Sequence, residues 1–222
     1  MSLRLVVFDV DGTLVDSQAE IVRAMEAAFA AQRLSPPTRK DVLGIVGLSL
    51  PRAMSRLAAD QPADVRDALV EAYLSAYAMH RKTSGIGPLY PGIRELLDRL
   101  AGRDDLLLGV ATGKSRHGLN HLIEEHGLAH HFATKQCADD HPSKPNPSML
   151  HAALTETGVD SWSAVMIGDT SYDIEMGRNA KMATIGVTWG YHSRDALAAA
   201  SIIVDRVSDL DAGIDLALGE IT

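Results

Sequence analysis

The chain has 222 residues, 46% of them hydrophobic, and a net charge of −8. That length suits one large domain or two small ones, and the charge excludes sequence-independent nucleic-acid binding, which rests on neutralising phosphates. Its single cysteine, Cys137, excludes an internal disulfide framework. No basic–apolar–small leader opens the chain, and no apolar run approaches membrane-spanning length, so the expectation is a cytoplasmic protein, monomer or homodimer, with no nucleic-acid and no membrane partner.

The first element is a buried strand, Leu5-Val6-Val7-Phe8, followed at once by Asp9-Val10-Asp11-Gly12-Thr13. Ser17-Gln18-Ala19-Glu20 has the form of a capping box, and Ile21, Met25, Ala28 and Phe29 then recur at helical spacing. Thr38 reads as another helix start. Pro51 opens a short segment, and residues 63–79 read as a longer helix. No strand is expected between Asp16 and Met79, and Ser84-Gly85-Ile86-Gly87-Pro88 reads as a linker.

Beyond Tyr90 the pattern alternates. Pro91 suits a helix N1 position, with an apolar stripe through Ile93, Leu96, Leu97 and Leu100. Strands are expected at 106–111, 164–167, 184–187 and 202–204, and helices at 115–125, 147–157, 173–179 and 210–218. Alternating strands and helices imply a parallel sheet covered on both faces. The predicted fold is therefore an α/β, Rossmann-like core (residues 1–15 and 87–222) interrupted by an all-helical insert (residues 16–86).

In such sheets ligands bind beyond the carboxyl ends of the strands. Three predicted strands end there in chemically useful residues: Asp9 and Asp11, then Thr112-Gly113-Lys114, then Gly168-Asp169-Thr170-Ser171-Tyr172-Asp173. Ser143-Lys144-Pro145 lies between the last two. These parts suit phosphoryl transfer. Asp9 and Asp169 offer hard oxygen ligands for Mg²⁺, and one carboxylate can attack phosphorus while the other handles a proton. Thr112 offers a hydroxyl, the Gly113 amide lies near a helix start that favours anions, and Lys144 offers a positive charge for phosphate and aspartate oxygens. Asp11 would give the leaving oxygen its proton.

These motifs resemble those of the haloacid dehalogenase superfamily, in particular its phosphoglycolate phosphatase-like group. Asp9-Val10-Asp11-Gly12-Thr13 is similar to that superfamily's first motif, Thr112 to its second, Lys144 to its third, and Gly168 to Asp173 to its fourth. Leu89-Tyr90-Pro91-Gly92 and Val187-Thr188-Trp189-Gly190-Tyr191 also look like this group. The resemblance implies a Rossmann-like core with an inserted helical cap. It implies Asp9 as the nucleophile that forms an aspartyl-phosphate, and Asp11 as general acid and then base. It also implies Mg²⁺ held by Asp9, Asp169 and the Asp11 backbone carbonyl, with Asp173 supporting a metal-bound water. The implied partner is a small phosphorylated metabolite.

Other readings stand beside this one. Within the superfamily, pyrophosphatase, sugar-phosphate mutase and phosphonatase activities are alternatives. Phosphonatase chemistry requires a Schiff-base lysine, for which Lys40 is the candidate before Lys82. A receiver-like phospho-aspartate module uses similar residues without needing the insert. Thr112 can serve as an N-cap and Asp173 as a first-turn acid favoured by the helix dipole. His117 and His121 read as a solvated helix face, Cys137 as a passive thiol, Trp189 and Tyr191 as residues packing on the sheet, and Thr170 with Ser171 as helix caps. From Asp16 to Gly85 nine basic residues face eight acidic ones, which makes the insert the less acidic part and suits an anionic substrate.

Overall fold

The computed structural model describes residues 3–219. The first strand, β1 (Arg4–Phe8), leads into four helices: α1 (Gln18–Ala31), α2 (Arg39–Leu43), α3 (Leu50–Leu57) and α4 (Ala63–Ser84). Then follow α5 (Ile93–Ala101), β2 (Leu106–Thr112), α6 (Arg116–Glu125), β3 (Thr134–Cys137) and α7 (Ser148–Thr157). The chain closes with β4 (Ala164–Gly168), α8 (Ser171–Asn179), β5 (Ala183–Val187), β6 (Ile202–Val204) and α9 (Leu210–Ala217).

The strands form one sheet in the order β3-β2-β1-β4-β5-β6, every pairing parallel. Parallel pairing buries both faces, because each crossover lays a helix on the sheet. Alternation along β1 divides the residues accordingly. Val6 and Phe8 enter a core with Leu96, Leu97 and Leu100 of α5 and Leu119 of α6. Leu5 and Val7 enter the opposite core with Met149 and Leu150 of α7 and Met176 of α8. A third apolar cluster gathers Ile21, Met25, Phe29, Val42, Met54 and Leu69 from the four helices after β1.

Register places the chemistry. Phe8 pairs with both Val110 and Ile167. The residues that follow these three, on three adjacent strands, therefore emerge at one level beyond the sheet. The chain leaves this edge at Val15 and returns beside its own exit, with Val15 bridged to Leu89. The Asp16 amide donates to the Pro88 carbonyl at 2.9 Å, and the Tyr90 amide to the Leu14 carbonyl at 3.0 Å. A Cβ on Gly87 would lie 2.5 Å from the Asp16 carbonyl oxygen, so the two passing segments require glycine there.

Several local expectations need correction. β3 was not anticipated: its Thr-Lys-Gln-Cys sequence has no apolar pattern, and its polar side chains are satisfied instead by Glu156, which accepts from Gln136 Nε2 at 2.8 Å and from Thr134 Oγ1 at 2.5 Å. Helix α4 continues through Ser84 before Gly85 ends it at φ 76°, so the linker is shorter than the sequence suggests. Pro91 precedes the helix rather than opening it, because Gly92, at φ 87°, is the N-cap of α5. Ser17 flanks α1 without capping it by a side-chain hydrogen bond. Among the described residues no helix is long and apolar enough to cross a membrane.

Leu97 is fully buried between α5 and the sheet. Leu97→Ala is expected to cost about 2–5 kcal/mol of stability through lost burial and a residual cavity. Urea unfolding followed by circular dichroism should show a lower midpoint with an unchanged slope.

Candidate active site

The ends of β1, β2 and β4 bring Asp9, Asp11, Thr112 and Asp169 together with Lys144 and Asp173, and all six are buried. Lys144 is the electrostatic centre of this group. Its ammonium donates to Asp9 Oδ1 at 2.7 Å and to Asp173 Oδ1 at 2.6 Å, with no exposed side-chain surface. Burial favours its neutral form, but Asp173 and Asp9 outweigh that and hold its pKa above the ordinary lysine range.

Asp173 is fixed from the other side. Thr170 caps α8 by accepting from the Asp173 amide, while Asp173 Oδ2 accepts from the Thr170 amide at 3.1 Å and from its hydroxyl at 2.6 Å. Thr170 is thus the cap, and Ser171 is the first helical residue. Asp173 occupies the first turn, as the helix dipole favours, and also faces the other carboxylates.

Asp169 follows β4. Its Oδ1 accepts from the Thr13 hydroxyl at 2.9 Å and its Oδ2 from the Tyr191 amide at 2.8 Å. Its position is walled by glycine: a Cβ on Gly12, which has φ +88°, would lie 2.2 Å from Asp169 Oδ2. One oxygen of each of Asp9, Asp169 and Asp173 falls within 4.8 Å of the others. Burial pushes the Asp9 carboxyl up to about 7 against the pull of Lys144. Burial, then Asp173 and Asp9, push Asp169 well above the carboxylate range. Asp9 Oδ2 is buried and has no hydrogen-bond partner among the described residues.

These observations fit a divalent cation. Three buried carboxylates against one ammonium leave an excess of negative charge, the donors are hard oxygens, and one of them is unsatisfied.

Asp11 lies apart from this trio and has its own partners. Ser17 donates its hydroxyl to Asp11 Oδ1, and Lys114 Nζ lies 2.9 Å from the same oxygen. Burial disfavours the Lys114 cation, yet Asp11 outweighs it and raises its pKa. The Tyr191 hydroxyl contacts Ser17 Oγ at 3.0 Å. This explains why the expected capping box fails: the Ser17 hydroxyl is spent on Asp11. Lys114 and Tyr191 stand in the motifs singled out from the sequence, but without the role the structure gives them beside Asp11. Ser17 reads only as a helix cap, and nothing local signals its bond to Asp11.

Thr112 Oγ1 accepts from the Lys114 amide at 3.3 Å. It does not cap α6, whose N-cap is Ser115, accepting from the Gly118 amide at 3.2 Å. Gly113 accordingly lies in the turn before the helix rather than at its start. A Cβ there would lie 2.6 Å from the Leu48 carbonyl oxygen and 2.7 Å from that of Gly47. The loop before α3 therefore rests on this turn and closes a cavity of about 610 Å³ over Asp9, Asp11 and Thr112. Two further bonds hold it there: the Ser49 amide donates to Ser143 Oγ at 2.9 Å and the Tyr172 hydroxyl to the Gly44 carbonyl at 2.9 Å.

The remaining expectations resolve plainly. Cys137 is buried, its thiol donating to Asp140 Oδ2 at 3.3 Å, and burial raises its pKa, as a passive thiol requires. Trp189 packs against the sheet core and donates to the Thr13 carbonyl at 3.1 Å, whereas Tyr191 packs against the helical cluster of the insert. Lys40 is exposed on α2 and does not line the cavity.

The model for haloacid dehalogenase-like hydrolases matches residues 6–187. A phosphoglycolate phosphatase of Agrobacterium fabrum is 34% identical over 192 residues, covering 84% of this chain and 81% of the relative. An N-acetylmuramic acid 6-phosphate phosphatase of Pseudomonas putida is 33% identical over 227 residues, covering 98% of this chain and 99% of the relative. The crystal structure of a hydrolase from Pseudomonas syringae superposes with a TM-score of 0.84 at 24% identity, covering 96% of this chain and 98% of that one.

The raised pKa of Asp9 has a measurable sign. Its folded-state value, about 7, exceeds the ordinary 3.8, so the unfolded chain releases this proton first. The contribution of Asp9 to stability is therefore present at low pH and lost as pH rises toward 7. In EDTA, the denaturant midpoint of wild type should fall relative to that of Asp9→Asn between pH 5 and pH 8. A saturating divalent cation should abolish that relative fall.

Proposed function

We propose a Mg²⁺-dependent phosphatase mechanism for this chain, which belongs to the haloacid dehalogenase-like hydrolase family. The chain is an enzyme of the phosphatase kind, with a buried cluster of aspartates at its centre. The proposal concerns the substrate, the metal and the role of each residue. The substrate class is a small organic phosphate monoester, with phosphoglycolate among the candidates. The relatives, named for phosphoglycolate and for N-acetylmuramic acid 6-phosphate, support the ester chemistry and divide on the ester. We further propose that residues 16–86 act as a cap on a core of residues 1–15 and 87–222.

The observation that carries the reading is the state of Asp9. One oxygen is pinned by Lys144, the other is buried and unpartnered, and the residue lines the cavity. A carboxylate oriented through one oxygen presents the other for attack. Asp9 Oδ2 attacks phosphorus, and the bond from phosphorus to the ester oxygen breaks. Asp11 gives that oxygen its proton. Asp11, now a carboxylate, takes a proton from water as the water attacks the aspartyl-phosphate, releasing inorganic phosphate and restoring Asp9.

Lys144 balances the charge of Asp9 and Asp173 before the phosphate arrives. Thr112 and the Gly113 amide offer donors to the phosphoryl oxygens. Mg²⁺, held by Asp9, Asp169 and the Asp11 main-chain carbonyl with Asp173 beside it, would screen nucleophile from phosphate. The cap loop over Gly113 keeps bulk water from the acyl phosphate. A phosphonatase reading lacks support, because its candidate lysine, Lys40, lies outside the cavity.

Asp9→Asn should abolish turnover with the circular dichroism spectrum unchanged, since an amide neither attacks phosphorus well nor carries the charge that holds a cation. EDTA should abolish wild-type activity, and added Mg²⁺ should restore it. Wild-type-like hydrolysis by the mutant would overturn the role of Asp9, and full activity without metal would overturn the role of Mg²⁺.

Asp11→Asn should distinguish leaving groups. An alkyl phosphate releases a basic alkoxide that needs a proton, whereas nitrophenolate leaves without one. The mutant should lose about 10²–10⁴-fold in single-turnover phosphorylation by the alkyl ester and much less with nitrophenyl phosphate. Equal losses would mean that Asp11 only shapes the site.

A further inference from the structure

The cavity above Asp9 is larger than a phosphate group needs, and its walls are not uniform. Most of the cap side is apolar, with Ile21, Met25, Val46 and Val70 among its lining. One strip differs. Tyr77 of α4 has two cations near its ring: Lys114 Nζ lies 5.2 Å from its centroid and the Arg81 guanidinium carbon 5.8 Å from it. Lys114 Nζ also lies 3.3 Å from the Tyr77 hydroxyl. Arg81 Nη2 stands 3.5 Å from His117 Nε2 across the cavity mouth. Lys114, Tyr77, Arg81 and His117 all line the cavity.

Two features say that this strip is built for a ligand. Arg81 Nε is buried and has no hydrogen-bond partner among the described residues, and a buried unpaired donor costs stability unless something fills it. Among the described residues no carboxylate forms an ion pair with Arg81, and the carboxylates that also line the cavity have other partners. Asp11 faces Lys114, Asp9 faces Lys144, and Asp139 accepts from the Arg116 amide at 2.7 Å. The guanidinium is planar and preorganised by the ring beneath it, a geometry that suits two-point capture of an oxyanion.

We propose that Arg81, with His117 and the outer side of Tyr77, forms a subsite for a second anionic group on the substrate, a carboxylate or a second phosphate. The inference rests on the phosphatase reading and narrows its substrate. Arg81 lies four residues, about 6 Å, beyond Tyr77 along α4.

The test uses a homologous series of ω-phosphooxy carboxylates, beginning at phosphoglycolate, against phosphate esters of the same lengths ending in a neutral hydroxyl and against terminal bisphosphates. With Mg²⁺ present, the acid-to-alcohol ratio of kcat/KM should reach about tenfold or more at the chain length that spans floor and subsite, in line with a charge-assisted hydrogen bond. Arg81→Gln should return that ratio toward one, through KM rather than kcat. Arg23→Gln, at an exposed site on α1 outside the cavity, should keep it. The bisphosphate arm shows which anion the subsite prefers.

Calorimetry with Asp9→Asn, which holds an ester without turning it over, gives the same comparison as binding. A ratio near one at every length, in both kinetics and binding, overturns the subsite. Absence of hydrolysis for every ester and for nitrophenyl phosphate overturns the phosphatase reading instead, and the calorimetric ratio then still decides the subsite.

Discussion

The ammonium of Lys144, buried between Asp9 and Asp173, is the interaction on which this site depends. Three carboxylates buried within a few ångströms of one another would repel strongly in a medium of low dielectric. One fixed cation offsets part of that repulsion and holds two of the three in place. The remainder is not offset by the protein, and together with burial, the larger cause, it raises the pKa values of Asp9 and Asp169. The residual charge is what makes the site receptive: a divalent cation entering there relieves repulsion already present in the fold, so its binding is coupled to stability as well as to chemistry.

The position of Lys144 is in turn set by the sheet. Because β1 is central and pairs in register with β2 and β4, Asp9, Thr112 and Asp169 reach the same level from three strands. Rigid, parallel, doubly covered strands are a precise support for such a cluster. The helices after β1 contribute differently. Their loop rests on Gly113, and their residues Ser17 and Tyr77 reach Asp11 and Lys114. Asp11 is thus the residue at which core and insert meet: its backbone follows the central strand, while its carboxylate is held by one side chain from each part.

The legible portion of this protein was the portion with a period or a punctuation mark. β1, β2 and β4 announced themselves as apolar runs ending in polar residues, and Asp9, Thr112 and Asp169 stood where such strand ends place ligands. β3 was illegible because its side chains alternate nothing apolar and its stability comes from pairing with β2 and from Glu156, a residue twenty positions away from Gln136. Ser17 was misread for a related reason. A serine three residues before a glutamate satisfies the local capping pattern, but a buried carboxylate six residues earlier competes for the same hydroxyl and wins. Arg81 carries no local signal, because what matters about it is the neighbour that tertiary folding supplies.

The same division runs through function. On the proposed reading, the polar floor, drawn from strand ends, handles a phosphate common to every ester, so its contacts would not by themselves choose among substrates. The cavity walls, drawn mostly from α1, α4 and the loop before α3, touch whatever the phosphate is attached to. Binding energy from those remote contacts becomes useful when it holds the ester so that phosphorus sits in line with Asp9 Oδ2. On the proposed reading, selectivity therefore belongs to the insert. It belongs most of all to the points where the otherwise apolar wall turns polar, since an unpaired buried donor penalises every substrate that fails to meet it.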